Sequence, residues 1–278
     1  MGFSPCQVMA EGWHGWDTYA PFYDWENART LGKRDVPFWI EVVSGTKGHV
    51  LELGCGTGRL LAPIARSTGK TSEGVASAAP GRDRLLLGID RSEPMLERAR
   101  RRLARVPHAV RPHLLRGDVR ALPMRPGKLG AVIAGYGLMQ SLLNDRDLDA
   151  TLADAARVLK RGGLLGIDLV PDLPVWEEYK GRIPLRGRLA EGTTLTLVES
   201  VRQDRRKGLT IFDEQYVVRR GRDVRKHRFQ LTFRTLTMEK TLKRIERAGF
   251  RIEKVCGSYS GDTWHPGADT WVVLARKC

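Results

Sequence analysis

A turn with three glycines in five residues is the strongest chemical signal in the chain. In the stretch "VLELGCGTGRL", residues 50–60, an apolar run stops at Gly54, and Gly56 and Gly58 follow at alternate positions. Glycine adopts backbone angles that other residues resist, and it carries no side chain to keep a ligand away from the backbone. Amides at the start of the following helix add partial positive charge. The turn therefore predicts a ligand held against the main chain.

Acidic residues close three successive apolar runs, and they suggest which ligand this is. Glu52, Asp90 and Asp118 stand at the ends of the first three predicted strands. An acid after the second strand can bind the two hydroxyls of a ribose. The carboxylate of Asp118 can accept from an exocyclic amine while the amide of Val119 donates to a ring nitrogen. The pattern predicts a cofactor that contains adenosine.

The spacing of the glycines separates two cofactor classes that use such a turn. A dinucleotide site needs G-x-G-x-x-G, with glycine at the first, third and sixth places. Counted from Gly54, the sixth place is Arg59, and the spacing is G-x-G-x-G instead. The number of residues between the glycines and Asp90 does not distinguish the two cofactor classes. The small-residue stretch 69–84, predicted to be a flexible surface loop, lengthens this interval.

Alternating apolar runs and amphipathic segments predict the elements that position these residues. Strands are predicted at 49–53, 85–89, 112–116, 131–137 and 164–170. Helices are predicted at 58–67, after a Ser92 cap, and from Asn144 to Lys160-Arg161, where Gly162-Gly163 would stop the helix. The alternation indicates an α/β fold with a doubly wound, mostly parallel sheet covered on both faces.

A change of pattern after residue 170 indicates an insertion. The runs 194–201, 209–218 and 226–233 predict three antiparallel strands joined by exposed basic turns. A helix capped by Thr237 and two strands, 250–257 and 270–276, follow. We therefore divide the chain into an aromatic N-terminal lid segment (1–48), a cofactor-binding core (49–170), an antiparallel insertion covering the substrate (171–236) and a C-terminal completion of the core (237–278).

The ordered motifs resemble those of class I S-adenosylmethionine-dependent methyltransferases, of the small-molecule type with an antiparallel insertion. The resemblance rests on "ELGCGTG" at 52–58, "GID" at 88–90 with Ser92 and Met95 after it, Gly117-Asp118, and "VLKRGG" at 158–163. It implies S-adenosyl-L-methionine as cofactor, with Gly54 and Gly56 under its methionine part, Asp90 on the ribose, Met95 near the adenine, and Asp118 with Val119 at the adenine edge. The full implied cofactor set is Tyr23, Glu52, Gly54, Cys55, Gly56, Asp90, Arg91, Met95, Asp118, Val119 and Tyr136. Leu129-Gly130 stand where this family often has an acid before the fourth strand.

Aromatic residues crowd the segment before the first strand. They include Trp13, Trp16, Tyr19, Phe22, Tyr23 and Trp25. Their density fits either a lid over the site or a helix packed on the domain by its aromatics. Tyr19 and Tyr23 are four residues apart and would share one helix face. Methyltransferases that act on glycine-like amines and on amino sugars have a similar tyrosine segment.

No residue in the chain stands out as a general base. The candidates for a catalytic role are Tyr19, Tyr23, Tyr136 and His227, and those for acceptor binding are Tyr19, Gln140 and Ser141. His227 is two residues before Phe229, so both would lie on the same face of their strand. His227 would then either line the cavity as a base or lie at the edge of a packed face. Gln140 and Ser141 would orient an acceptor or cap their loop. Methyl transfer needs a base only when the acceptor arrives protonated.

Composition leaves the methyl acceptor open. The 278 residues carry a net charge of +15, with 35 Arg and 12 Lys spread along the chain. A small-molecule acceptor at nitrogen or oxygen is the leading hypothesis. An RNA or protein acceptor is the alternative that the charge motivates, and a non-catalytic cofactor-binding module is a third. Four scattered cysteines with no C-x-x-C pair predict neither a metal site nor a disulfide framework. No secretion signal or membrane span is apparent; we expect a cytoplasmic location, and oligomeric state is not predicted.

Overall fold

The computed structural model describes residues 15–68, 84–170, 178–189, 192–268 and 270–278. Trp13, Cys6 and nearly all of the predicted 69–84 loop lie outside these ranges. The helices are α1 (Trp16–Asn27), α2 (Val36–Ser44), α3 (Leu61–Thr68), α4 (Glu93–Leu103), α5 (Asp145–Val158) and α6 (Met238–Arg247). The strands are β1 (His49–Leu53), β2 (Leu86–Asp90), β3 (His113–Arg116), β4 (Leu129–Ala134), β5 (Leu159–Leu169), β6 (Tyr179–Arg188), β7 (Thr193–Asp204), β8 (Leu209–Arg220), β9 (Asp223–Arg234), β10 (Phe250–Cys256) and β11 (Trp271–Lys277).

Seven of these strands form one sheet in the order β10-β11-β5-β4-β1-β2-β3. The pairs among β1 to β5 are parallel, and β11 runs antiparallel to both β5 and β10. Strand order reverses beside β1, between β4 and β2, and ligands bind beyond the carboxyl ends of the strands at such a point. The predicted doubly wound, mostly parallel fold is confirmed.

The sheet buries a different apolar cluster on each face, because neighbouring residues of a strand point to opposite sides. Leu51 and Leu53 pack with α5 and α6 on one face. Val50 packs with α2, α3 and α4 on the other. Since both faces are covered, the strands read as continuous apolar runs, as expected for a buried parallel sheet.

The insertion forms a second sheet of four antiparallel strands, in the order β6-β7-β8-β9. The prediction of three strands was incomplete, because β6 carries the polar and basic sequence "YKGRIPLRGR" and exposes most of it. Helix α1 packs on the inner face of this sheet and forms a third cluster with it. The proposed division into four segments stays a prediction.

Capping residues begin the helices where the sequence places them. The side chains of Ser92, Asn144 and Thr237 accept hydrogen bonds from backbone amides at the starts of α4, α5 and α6. The predicted end of α5 was wrong: the helix stops at Val158, and Leu159 is already extended, with φ −71° and ψ 140°. Leu159 pairs with Leu129 of β4, so sheet pairing ends the helix before the glycines do.

Helix lengths and hydropathy also bear on the membrane question. Within the ranges given above, no helix is both long enough and apolar enough to cross a bilayer.

Candidate functional site

Backbone-to-carboxylate hydrogen bonds tie the glycine turn to the end of β2. The amide of Gly56 donates to Oδ2 of Asp90 over 2.8 Å, and the amide of Ser92 donates to Oδ1 over 2.8 Å. Gly54 and Gly56 have φ angles of 58° and 50°. A β-carbon at Gly54 would stand 2.6 Å from Cδ1 of Leu138. The turn is thus rigidly placed, and glycine is required for its close approach to neighbouring groups.

A cavity of about 350 Å³ opens at this turn, beyond the carboxyl ends of the core strands. We call it the cofactor cavity. Most residues predicted to bind the cofactor line it, namely Tyr23, Gly54, Gly56, Asp90, Arg91, Met95, Asp118, Val119 and Tyr136. The predicted acceptor residue Ser141 also lines it. Sequence reasoning missed Asp17, Arg116, Arg120, Leu138, Leu142, Asp147 and Phe233.

Two of the acids that line this cavity, Asp90 and Asp118, have different electrostatic surroundings. Burial raises the pKa of Asp90, while its hydrogen bonds from backbone amides act in the opposite direction. Hydrogen bonding to Arg120 lowers the pKa of Asp118. The guanidinium of Arg120 lies 2.7 Å from Asp118 and 3.0 Å from Asp147. Arg120 is only two residues after Asp118, so the sequence could have indicated this ion pair.

Glu52 and Cys55, both predicted to bind the cofactor, are not among the lining residues. Glu52 is 5% exposed, its Oε2 has no hydrogen-bond partner among the described residues, and burial raises its pKa well above the usual value. Cys55 packs beneath the sheet, where its Sγ would stand 2.8 Å from a β-carbon placed at Gly88. Their cofactor roles stay predictions.

The residues at the cofactor cavity fit a nucleoside-containing group. Both oxygens of Asp90 accept hydrogen bonds from backbone amides. A carboxylate oxygen can accept more than one hydrogen bond, so Asp90 can also accept from a vicinal diol. Met95 and Leu138 give the cavity apolar walls suited to a flat base. The turn at Gly54 admits a chain that runs along the backbone. This combination is what an adenosine linked to an amino-acid tail requires.

A second cavity of about 330 Å³ lies between α1, the end of β5 and the inner face of the second sheet. We call it the acceptor cavity. It shares four residues with the cofactor cavity, namely Trp16, Tyr136, Gly137 and Phe233. Its other lining residues are Tyr19, Glu26, Thr30, Gln140, Val170, Glu199, Thr210, Phe212, Glu214, Leu231, Arg234 and Thr235. A ligand here would stand directly beside one in the cofactor cavity.

Tyr136 lines both cavities. Its φ of 59° is the only positive value at a non-glycine residue in the described ranges. The ring lies edge-on to Tyr23, with centroids 6.0 Å apart, and the guanidinium of Arg59 lies 5.5 Å from its centre. Arg59 in turn pairs with the fully buried Asp35 through bonds of 2.7 and 2.6 Å. A strained backbone held by buried contacts is common at binding sites.

Carboxyl groups and tyrosine hydroxyls gather on one wall of the acceptor cavity. The hydroxyl of Tyr19 donates to Oε2 of Glu26 over 3.0 Å, and Tyr216 donates to the same oxygen. Glu199 and Glu214 are direct partners in the register of β7 and β8. Sequence reasoning missed these acids. The sequence could have revealed Glu199, because it follows Leu195 and Leu197 at every second position and so shares their inward face.

Three further predicted residues, Gln140, Ser141 and His227, make contacts of other kinds. Oε1 of Gln140 accepts from the amide of Val170, and its Nε2 donates to the carbonyl of the same residue, so both ends of the amide hold the end of β5. Ser141 donates to the carbonyl of Leu138 and caps its turn. His227 is exposed, lines neither cavity, and packs 5.2 Å from the ring of Phe22. It lies in the first half of β9, away from the residues of that strand that line the cavities, and its role as a base stays a prediction.

Comparison with known proteins agrees with this geometry. Residues 50–163 match the family described as a methyltransferase domain. A demethylmenaquinone methyltransferase of Lactiplantibacillus plantarum is 33% identical over 186 residues, which cover 62% of this chain and 71% of that protein.

Solved structures extend the likeness to nearly the whole chain. An S-adenosylmethionine-dependent methyltransferase from Clostridium acetobutylicum aligns with a TM-score of 0.72 at 14% identity, covering 93% of this chain and 98% of that one. A sugar N-methyltransferase from a Streptoalloteichus species aligns with a TM-score of 0.70 at 18% identity, covering 100% and 99%. At these identities the likeness concerns the fold alone.

Proposed function

The chain belongs to the class I S-adenosylmethionine-dependent methyltransferases, and on that premise we propose that it methylates a nitrogen or oxygen atom of a small molecule. The observation that carries the proposal is the shared wall of the two cavities. Trp16, Tyr136, Gly137 and Phe233 belong to both. A cavity of about 330 Å³ suits a small molecule, because it lies within the usual range for such sites.

We propose that residues of the cofactor cavity hold S-adenosylmethionine as follows. Asp90 accepts the ribose hydroxyls, and the amides that already bind its carboxylate keep it oriented. Met95, 2% exposed, packs near the adenine. Asp118 and the amide of Val119 read the adenine edge, with Arg120 fixing the carboxylate. Gly54 and Gly56 lie under the methionine part.

Methyl transfer requires the protein mainly to position the acceptor against the methyl group. S-adenosylmethionine supplies an electrophilic methyl group on a positively charged sulfur. The residues of the shared wall would align the acceptor lone pair with that methyl group, and such alignment can supply about 7–11 kcal/mol of the barrier reduction. Helix α1 and the second sheet enclose the acceptor cavity with aromatic rings, which limits the entry of water.

Filling the acceptor cavity provides the test. Thr235 lines only that cavity, so Thr235→Trp should leave S-adenosylhomocysteine affinity unchanged while methyl transfer to small acceptors falls at least tenfold. The matched control is Thr196→Trp, because Thr196 lies on the face of β7 opposite to the inward Leu195 and Leu197. This variant should keep both S-adenosylhomocysteine affinity and methyl transfer. Binding is measured by calorimetry, and transfer by the mass gain of one methylene across a panel of amines and alcohols.

Three results would contradict the proposal. Full activity of Thr235→Trp would place the acceptor elsewhere. Cofactor binding without turnover on any acceptor class would favour the non-catalytic module. Strongly salt-dependent retention of RNA, persisting at about 50 mM salt and accompanied by its methylation, would favour the nucleic-acid alternative.

A further inference from the structure

Resting on the proposed small-molecule activity, we propose that the acceptor is a protonated amine, which Glu214 and Glu26 bind in the acceptor cavity and which gives its proton to Glu214. The cofactor cavity by itself does not imply an amine acceptor. The inference comes from the side chains that line the opposite wall, where β7 and β8 of the second sheet face α1.

Glu214 is a buried acid whose carboxylate is not fully satisfied by hydrogen bonds. It lies on the inward face of β8, two residues from the fully buried Tyr216, and is itself 4% exposed. It lines the acceptor cavity, and its Oε2 has no hydrogen-bond partner among the described residues. A buried carboxyl oxygen without a partner costs free energy. A donor bound in the cavity would remove that cost.

A second acid stands directly across from Glu214. Glu199 of β7 is its cross-strand partner, so their β-carbons are about 4.5–5.5 Å apart on the same face. Like charges in this arrangement are destabilising. Tyr179 of β6 donates its hydroxyl to Oε1 of Glu199, whereas the Oε2 of Glu214 has no such donor. Hydrogen bonding with Tyr216 acts to lower the pKa of Glu214, but its Oε2 still has no donor in the part of the chain that the structure describes.

Glu26 of α1 completes the anionic wall. Its Oε2 accepts from both Tyr19 and Tyr216, so two hydroxyls orient it. No arginine or lysine of the described residues forms an ion pair with Glu26 or Glu214. Burial raises the pKa of Glu214 well above its usual value, and proximity to Glu26 and Glu199 raises it further. Burial also raises the pKa of Glu26. A bound cation would reverse these shifts, because it favours the ionised carboxylates.

The rest of the cavity suits an amine that also carries an oxygen. Trp16, Tyr19 and Phe233 offer aromatic faces, which attract an ammonium or methylammonium group. Arg234 also lines the cavity. Its Nη2 binds Asp145, while its buried Nη1 has no partner among the described residues. A free N–H donor can bind an oxygen, so we place a hydroxyl or carboxylate oxygen of the acceptor at Nη1 of Arg234.

The proton balance explains why the acids are useful. An ammonium has no lone pair, so one N–H bond must break and an O–H bond form on Glu214. The electron pair left on nitrogen then forms the N–CH₃ bond, and the pair of the S–CH₃ bond stays on sulfur as S-adenosylhomocysteine leaves. Once the nitrogen has given up its charge, burial again favours the protonated carboxyl of Glu214, which makes Glu214 a suitable proton acceptor near neutral pH. The proton afterwards passes to solvent.

The test compares two probes of equal size, benzylammonium and benzyl alcohol, titrated into the protein already saturated with S-adenosylhomocysteine. At pH 7 we expect the ammonium to bind at least tenfold more tightly than the alcohol. Glu214→Gln should abolish that preference. Glu246→Gln, on the exposed side of α6, should retain it. Calorimetry in two buffers of different ionisation enthalpy should show the release of about one proton on ammonium binding to the wild type and none to Glu214→Gln.

The outcomes separate this inference from the function on which it rests. Equal binding of the two probes overturns it, as does no ammonium binding up to about 50 mM. Preferential methylation of alcohols would also overturn it while leaving the proposed small-molecule activity intact. Unchanged binding by Glu214→Gln, with S-adenosylhomocysteine still bound, would assign the preference to another residue. Failure to bind S-adenosylhomocysteine would instead contradict the cofactor site itself.

Discussion

The Gly56 amide donates a 2.8 Å hydrogen bond to the carboxylate of Asp90, and this bond joins the glycine turn after β1 to the end of β2. One side chain therefore fixes the shape of the turn and presents acceptors to the cofactor cavity. The link explains why an acid at the end of the second strand matters even before a ligand is present.

Replacing Asp90 should weaken cofactor binding. Hydrogen bonds to a charged group contribute about 1.5–3 kcal/mol, so Asp90→Ala should reduce the affinity for S-adenosylhomocysteine by about 10- to 150-fold. Asp223→Ala, at the exposed start of β9, is the control and should bind normally. Calorimetric titration measures both, with NAD as the competing ligand class. Unchanged affinity in Asp90→Ala, or binding of NAD, would show that the glycine turn holds something else.

Two glycines with similar backbone angles should respond differently to a methyl group. Gly54 has φ 58° and Gly127 has φ 67°, so alanine strains both, by about 1 kcal/mol. Only at Gly54 would the new β-carbon meet Leu138, at 2.6 Å; nothing lies within 4 Å at Gly127. We expect Gly54→Ala to lower both Tm and cofactor affinity, and Gly127→Ala to lower Tm slightly with affinity intact. Equal effects of the two substitutions on affinity would contradict the close approach.

The ion pair between Arg59 and Asp35 should be costly to break from one side. The side chains are 12% and 0% exposed, and removal of one partner of a buried pair costs about 3–5 kcal/mol, because the other charge is left uncompensated. Urea unfolding of Arg59→Met should show a loss of this order. Arg59→Met combined with Asp35→Leu should recover part of it.

The exposed pair of Lys243 and Glu239 on α6 serves as the comparison. Lys243→Met should leave the unfolding midpoint essentially unchanged, because solvent screens surface pairs. A loss in Arg59→Met no larger than in Lys243→Met would mean that the buried pair does not support the fold.

Asp168 should make stability depend on pH in a definite direction. Burial raises its pKa to about 6, although Gly137 and Tyr259 donate hydrogen bonds to it. The folded state therefore holds a proton that the unfolded state releases near pH 3.8. This contribution is fully present below about pH 3.8 and is lost as the pH rises through about 6, a change of about 3 kcal/mol.

Substitution isolates this contribution from those of the other acids. Asp168→Asn removes the titration while keeping an amide oxygen for the Gly137 N–H. The difference in unfolding free energy between wild type and variant, measured in urea from pH 4 to 7, should move in favour of the variant as the pH rises. A difference that stays flat over this range would mean that the pKa of Asp168 is not raised.

Local signals in the chain predicted much of the core. Ser92 and Asn144 begin helices because a side chain can cap amides only two or three residues away. Alternating apolar runs predicted the parallel sheet. The boundary between α5 and β5 was wrong because Leu159 pairs with Leu129, a partner 30 residues earlier that helix-ending glycines could not reveal.

The acceptor cavity was beyond such reasoning, because distant segments build it. Tyr216 donates to Glu26 across 190 residues of sequence, and Glu199 meets Glu214 only through the register of β7 and β8. His227 shares its parity with inward-facing residues, yet it lies in the first half of β9, away from the residues of that strand that line the cavities. Parity assigns a face of the sheet, but it does not say where along the sheet the cavity lies.

The sequence by itself therefore determined the doubly wound sheet, the glycine turn and the acids at the strand ends, because periodicity, capping and turn chemistry act over a few residues. The tertiary structure alone decided which acids share a cavity, which arginines are paired, and that Tyr136 lines both cavities. These features depend on burial and on contacts between segments far apart in the chain, and no local pattern encodes them.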